Sequence, residues 1–239
     1  MGALSSNATV RWRAEVVADL LSHQRLSSYL AVTPDLDSAL ALYEWNSDAS
    51  AAVFALIART EVLTRNAMDG ALARWSNRRH RTAEWFDHVP LDRRGDADLA
   101  EARRRCSRCR TAEAHGKVIA ELSFGFWRYL ATSRYHASIW VPGLHTAFPL
   151  GNPDIRRRRG QVEQCLKNLH QVRNRVAHHE PIHAYDLRQT VDDARRLAGW
   201  IAPDAAAWIM ARERVTVACR QRAEVPLRIS GAGGTGGRG

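Results

Sequence analysis

Apolar residues recur along this chain at steps of three and four, and β-branched runs are short, so helices are predicted to carry nearly all of the fold. No strand is convincing. Val10 to Leu21 reads as a first helix, Ser22 can cap a second running to Ala31, and Pro34-Asp35 opens a third through Tyr43 and Trp45. Asn46, Ser47 or Asp48 then caps a long helix to about Trp75, whose stripe of Val53, Leu56, Ile57, Val62, Leu63 and Leu72 is expected to be core. Residues 76–96 are polar and Arg-rich, broken by Pro90 and Gly95, and read as a surface loop held by Trp85 and Phe86, with a charged helix after it. Gly116 to Leu130 contains Ile119, Leu122, Phe124, Phe126, Trp127 and Tyr129, too aromatic all round for a surface helix, and is predicted to be the central one. Pro142, Gly143, Pro149, Gly151 and Pro153 punctuate a loop. Asp154 begins a basic helix that ends near His179. Two further helices, about Tyr185 to Ile201 and Pro203 to Arg220, complete an all-α bundle. The reading is one helical domain over residues 1–229, followed by a Gly-rich tail at 230–239 that is expected to be disordered.

Composition narrows the function. At 239 residues, 45% of them hydrophobic and eight of them Trp, the chain can bury a real core, and no apolar run approaches the roughly 18 to 20 residues a membrane span needs. Lys+Arg 35 against Asp+Glu 25 gives a formal charge of +10, which favours a polyanionic partner, nucleic acid first. Nearly all of that charge is Arg, since Lys117 and Lys167 are the only lysines. The four cysteines, Cys106, Cys109, Cys165 and Cys219, make no disulfide framework, and no apolar leader-like segment opens the sequence, so a reducing cytoplasm is expected.

The chemistry concentrates on the helix from Gln161 to His179. At about 100° per residue, Val162, Cys165, Leu166, Leu169, Val172 and Val176 form one apolar stripe that should pack inward. His170, Asn174 and His178 stand four apart and line one flank, while Arg173 lies beside the stripe, where a guanidinium is costly unless paired. Glu180-Pro181 then stops the helix, because the residue before proline is pushed out of the α region. Cleaving RNA without a metal needs a base for the 2′-hydroxyl proton and a cation for charge on the phosphorane. His and Arg suit those tasks, and an Asn beside them can hold the imidazole or a phosphate oxygen. The competing interpretation makes Arg173 a satisfied ion-pair residue and His178 an ordinary helix-terminal histidine. Spacing alone cannot decide, because Arg-x4–6-His recurs at Arg74/His80, Arg81/His88, Arg108/His115 and Arg110/His115.

The segment RNRVAHHEPI at 173–182 is similar to the RNxxxH signature of HEPN ribonucleases and, in its full form, to that of the Abi-like, abortive-infection branch. ALYEWNSDASAAVFALIARTEVLTRNAMDGAL at 41–72 and ELSFGFWRYLATSRYHASIW from 121, with the following AFP to 149, resemble the same branch, so the likeness spans roughly residues 10 to 200. It implies a HEPN-like all-α bundle with additional N- and C-terminal helices and a homodimer that brings two Arg/His pairs into one cleft. The implied activity is metal-independent RNA cleavage in phage defence or a toxin system, without a cofactor and with an antitoxin or other regulatory partner. Carried over, Arg173 is the phosphate-binding cation, His178 the base or acid and Asn174 the polar residue after Arg. Many toxin HEPN domains have a Tyr where this chain has Glu180, so His179 or Glu180 would assist His178, with His170 also an accessory candidate. Within the same likeness, the alternative is a non-catalytic module that binds RNA or protein.

Other constellations compete. His179-Glu180-Pro181-Ile182-His183 is a literal HExxH, but Pro181 breaks the helix that would put both histidines on one face. Cys106-Ser107-Arg108-Cys109 is a lone CxxC that His115 or Cys165 would have to complete for zinc. Arg156, Arg157, Arg158 and Arg159 read either as a solvated charge run or as RNA-backbone contacts on the active-site helix. Glu61, Arg65 and Asn66 repeat an Arg-Asn pair on the long helix, and the i,i+4 Glu–Arg spacing reads as a surface bridge, accessory at best.

Overall fold

The chain folds into helices wherever the pattern is periodic, and among the described residues there is no strand. The computed structural model describes residues 12–107 and 114–227. Cys109, Arg108, Arg110 and the Gly-rich tail at 230–239 lie outside them, as do Val10 and Arg11, where the sequence pattern starts the first helix. The α-helices are α1 (Ala14–Leu21), α2 (His23–Leu30), α3 (Leu36–His80), α4 (Arg93–Ser107) and α5 (His115–Glu121). They continue with α6 (Phe124–Leu130), α7 (Ile155–Ala177), α8 (Leu187–Ile201), α9 (Pro203–Met210) and α10 (Val215–Gln221). Between α6 and α7 the chain makes short 3-10 and π turns over 133–147.

The chain groups into two compact units, one formed by Met1–Ala49 with Val217–Gly239 and the other by Ser50–Thr216. In the first, Ser22 caps α2 by accepting from the Arg25 amide at 3.3 Å, as its sequence position predicts. The Trp45 indole donates to the Ala218 carbonyl at 2.7 Å, and the Arg222 guanidinium lies 5.0 Å over the same ring. Tyr29 and Tyr43 meet edge to face at 5.3 Å, and burial pushes the Tyr29 hydroxyl up to about 12.

Four expectations are corrected. α3 begins under the Asp35 cap, which accepts from the Ser38 amide at 2.8 Å, and runs through Asn46, Ser47 and Asp48 without a break. Ser47 does not cap, because its hydroxyl bonds back to the Tyr43 carbonyl at 3.1 Å, which lets a cap-forming residue sit inside a helix. Of the α3 stripe, Val62 is 41% exposed and Leu63 half-buried, while Val53, Leu56, Ile57 and Leu72 are core. Gly116 to Leu130 is two helices rather than one. Leu122 and Ser123 turn extended, and the Ser123 hydroxyl accepts from the Phe126 amide at 3.2 Å to start α6 afresh. The stretch from Pro203 is likewise interrupted, at residues 211–214.

The larger unit is built around α6 and α7. Trp127 is fully buried in α6, and the loop before α4 is pinned by Trp85 and Phe86, whose rings meet at 4.6 Å. The stripe predicted for α7 is all buried and packs on α8 through Leu187, Val191, Ala194, Leu197 and Ala198. Each Leu or Val buried there contributes about 1.5–3 kcal/mol. One carboxylate sits in that interface: Asp193, 2% exposed, accepts from Asn168 at 2.8 Å, Gln189 at 2.9 Å and the Cys165 thiol at 3.3 Å. Those donors satisfy the buried charge. Burial and the Asp193 charge push the Cys165 thiol well above its ordinary value, so this cysteine is structural.

Candidate active site

α7 carries every residue of the RNxxxH segment up to its cap, and its two ends are built differently. At the start, the Asp154 carboxylate accepts from the Arg156 and Arg157 amides at 2.8 and 3.0 Å. Of the four arginines proposed as RNA contacts, Arg156 and Arg157 are exposed. The other two are held by the protein. Arg158 donates to the carbonyls of Asn152 at 2.7 Å and His145 at 3.3 Å, and Gly151 leaves room for it, since a Cβ there would stand 2.9 Å from the Arg158 Cγ. Arg159 donates to the Ala131 carbonyl at 2.9 Å and pairs with Glu163.

At the far end the helix closes with a Schellman motif. His178 is the C-cap, its amide donating to the Asn174 carbonyl at 3.0 Å. His179 takes a left-handed conformation with φ 54, donating to the Val176 carbonyl at 3.1 Å, and the Glu180 amide reaches the Arg175 carbonyl at 2.8 Å. That position favours glycine, and a side-chain-bearing residue there costs about 1–2 kcal/mol. Arg175 fastens the turn: it pairs with Glu180 at 3.0 Å, donates to the Pro181 carbonyl at 3.1 Å and lies 4.9 Å over the Tyr185 ring. Glu180 is therefore engaged with Arg175 rather than directed at an imidazole.

Arg173 and Asn174 are half-buried, His178 and His179 exposed. The Arg173 guanidinium donates to the Asn174 amide oxygen at 3.4 Å, and among the described residues no carboxylate lies within 4 Å of it. Its charge reaches Glu61 on α3. Burial raises the Glu61 carboxyl above its ordinary range, while the charges of Arg173 and Arg65 pull it back. Glu61, Arg65 and Arg173 thus share one partly buried place, and the Arg65 Nε is buried without a hydrogen-bond partner. The Glu61–Arg65 pair is no surface bridge. His170 is half-buried against the Phe124 ring at 5.8 Å, and a Cβ on Gly125 would stand 3.4 Å from its Nε2. Its imidazole is held below its ordinary value first by burial and then by the guanidiniums of Arg128, Arg173 and Arg94.

Arg173 and His178 are five residues apart, so within one copy they project about 140° apart around the helix axis, with a rise of about 7.5 Å between them. His170, Asn174 and His178 do share a flank, as their spacing requires.

Of the competing sites, the HExxH segment is not assembled, and the CxxC lies in part outside the described residues, at Cys109. α7 ends at Ala177, before His179, and among the described residues no group of three His, Cys, Asp or Glu stands together as metal ligands. Cys106 is buried. His115 is engaged by Asp69 at 2.8 Å and Glu84 at 3.2 Å and stacks on Phe86 at 4.7 Å. Cys165 faces Asp193 instead.

Comparison of the chain with protein-family models, curated proteins and solved structures returns no match. The HEPN likeness therefore rests on the sequence segments quoted above alone. The sequence did not single out Arg94 and Arg128, whose charges reach His170, and it set Glu61 and Arg65 apart as accessory at best. The repeated Arg-Asn pair at 65–66 was the one local signal for them.

Proposed function

We propose that this protein is a metal-independent endoribonuclease of the abortive-infection or toxin type, working as a homodimer in the cytoplasm. The carrying observation is the state of Arg173: a half-buried guanidinium beside Asn174, with no carboxylate within 4 Å among the described residues and an exposed His178 at the same helix end. A buried-edge cation without an ion-pair partner is costly to keep, and a bound phosphate would complete it. In the reaction, the 2′-oxygen attacks phosphorus, the bond to the 5′-oxygen breaks, and the products are a 2′,3′-cyclic phosphate and a 5′-hydroxyl. One group takes the 2′-hydroxyl proton and another returns a proton to the leaving oxygen. Arg173 grips two non-bridging oxygens and stabilises the charge that develops there. His178 transfers a proton, and Asn174 orients the Arg173 fork. With one His178 per chain and about 140° between it and Arg173, a second copy across a two-fold axis would supply the missing acid or base.

The test is incubation of the purified protein with total RNA in EDTA. Cleavage with 2′,3′-cyclic phosphate ends is expected; strict dependence on a divalent metal, with 3′-hydroxyl ends, would overturn the mechanism. The angular separation of Arg173 and His178 is also what favours a second reading, a non-catalytic RNA- or protein-binding module. The same incubation separates the two, since a binding module leaves the RNA intact; light scattering tests the shared site, which a monomer that still cleaves at nanomolar concentration would contradict. An antitoxin or similar restraining partner belongs to the same proposal.

A further inference from the structure

A second basic place lies in the same compact unit, at the entry to α4. A cavity of about 500 Å³ is lined by Asp92, Arg93, Arg94, Ala97 and Arg134. Its single carboxylate faces a full set of donors: the Gly95 amide at 3.0 Å, the Tyr129 hydroxyl at 2.8 Å, the Tyr135 hydroxyl at 2.9 Å and the Arg134 Nε at 2.5 Å. Those donors hold Asp92 down at about 2, so it is ionised at any working pH. Arg134 neutralises it. Arg93 and Arg94 then remain as two exposed guanidiniums, with no carboxylate within 4 Å among the described residues, and the Arg94 guanidinium lies over the Tyr129 ring at 4.7 Å. A guanidinium fixed on an aromatic face keeps its fork open to an oxyanion.

The cavity is joined to the α7 site through α6. His170 touches the start of α6 at Phe124 and Gly125, and Arg128 and Tyr129 lie one turn, about 5.4 Å, further along that helix. Tyr129 is the ring under Arg94. Arg128 stands between, with its Nε buried and lacking a hydrogen-bond partner. Arg173, Arg128 and Arg94 thus lie around His170 and α6, and Arg94 with Arg93 lines the cavity. That Arg128, Arg173 and Arg94 all depress the His170 imidazole fits the same convergence.

We infer that the cavity at Arg93, Arg94 and Arg134 holds one backbone phosphate of a single RNA strand that also places a phosphate at Arg173, so that the cavity fixes the strand relative to the site of cleavage. The inference rests on the proposed function in taking RNA as the ligand at Arg173, but it concerns binding and is read without cleavage. Guanidiniums contributed by α4, α6 and α7 match a chain of phosphates better than a lone anion, because each added phosphate releases further counterions.

The experiment uses the full chain and a fluorescein-labelled RNA oligonucleotide with 2′-O-methyl sugars, which cannot form the cyclic product, with anisotropy read over a range of salt. Arg93→Gln/Arg94→Gln is expected to raise the Kd at least about tenfold. It should also make the slope of log K against log salt shallower by about 0.7 for each phosphate that is no longer neutralised. Both side chains are exposed, so the melting temperature should hold. Arg134→Gln, which frees the Asp92 charge into the cavity, should weaken binding in the same direction and provides an independent check. Unchanged affinity and slope in both variants would overturn the inference, as would failure of the wild-type protein to bind the oligonucleotide. So would calorimetric binding of inorganic phosphate that disappears in Arg93→Gln/Arg94→Gln while oligonucleotide affinity is kept, since that describes a free-anion site. If cleavable RNA stays intact but the variants weaken binding as stated, the inference stands and the catalytic reading fails. If wild-type protein cleaves RNA and the variants bind like it, the reverse holds.

Discussion

The two ends of α7 present guanidiniums in opposite conditions. At the N-terminal end Arg158 and Arg159 donate to the carbonyls of Asn152, His145 and Ala131, and Arg159 also pairs with Glu163. Near the C-terminal end Arg173 has one long hydrogen bond to its neighbour Asn174 at 3.4 Å. The first pair closes the structure by satisfying buried acceptors, and its removal should be felt in stability. The second is a positive charge at the edge of the core that the described protein leaves open, and its removal should be felt in what binds there. Basic character alone, which the sequence displays at both ends, does not distinguish the two roles. What distinguishes them is whether acceptors surround the fork.

The largest effect expected from this contrast is on rate. Arg173→Lys keeps the charge but loses the planar fork, and should slow single-turnover RNA cleavage by on the order of 10²-fold at an unchanged melting temperature. Near-wild-type cleavage by that variant would place Arg173 with the structural arginines. Arg159→Ala should behave in the opposite way. It strips a charged donor from the buried Ala131 carbonyl and leaves Glu163 without its partner, a loss of about 1–3 kcal/mol, or several degrees by calorimetry, with the cleavage rate kept. A smaller change is expected at the cap. His179→Gly relieves a left-handed backbone at φ 54 and should raise stability by up to about 1 kcal/mol, offset in part by the freedom glycine adds to the unfolded chain. If His179 assists His178, the same variant will cleave more slowly, and chemistry and folding can be read from one protein.

The smallest effects concern pH. Asp69 and Glu84 raise the His115 imidazole above its ordinary value despite burial, so the stability it contributes is complete below the unfolded-state value and is lost as pH rises through the folded one. His170 is shifted the other way by burial and three arginines, so folding is weakened as pH falls toward its depressed value. His115→Gln should therefore remove a decline in melting temperature on the alkaline side of about pH 6.5, and His170→Gln a decline on the acid side, each by less than one proton's worth of slope. Slopes of the same sign for the two variants would contradict the described surroundings of one of them.

These contrasts also show which parts of the molecule could be read from the chain. The α7 stripe, its Asp154 cap and its stop before Pro181 were legible because each depends on neighbours within a turn or two. The same holds for Ser22 and for the pinning of the loop by Trp85 and Phe86. The continuous course of α3 through Asn46, Ser47 and Asp48 was not legible, since a cap-forming residue is also tolerated inside a helix when its side chain bonds back along it. The break at Ser123 was hidden by apolar residues on both sides of it. At the site, Arg173, Asn174, His170 and His178 were marked by the Arg-Asn start, the apolar stripe and the stop at Glu180-Pro181 rather than by Arg–His spacing, whereas the approach of Glu61, Arg65, Arg128 and Arg94 to them depends on tertiary packing. No local pattern encodes that. Nor could the run Arg156 to Arg159 be divided into two exposed and two engaged members without knowing where the carbonyls of Ala131, His145 and Asn152 lie.

His178→Ala decides whether the end of α7 transfers a proton during RNA cleavage. His178 is exposed and contributes its amide, not its ring, to the helix cap, so the variant should fold like the parent. Measured in EDTA under single-turnover conditions, with the melting temperature recorded on the same sample, the rate should fall by on the order of 10²-fold or more while the melting temperature holds. Cleavage at the parental rate, or a loss of activity that follows only from unfolding, would contradict the role assigned to this histidine.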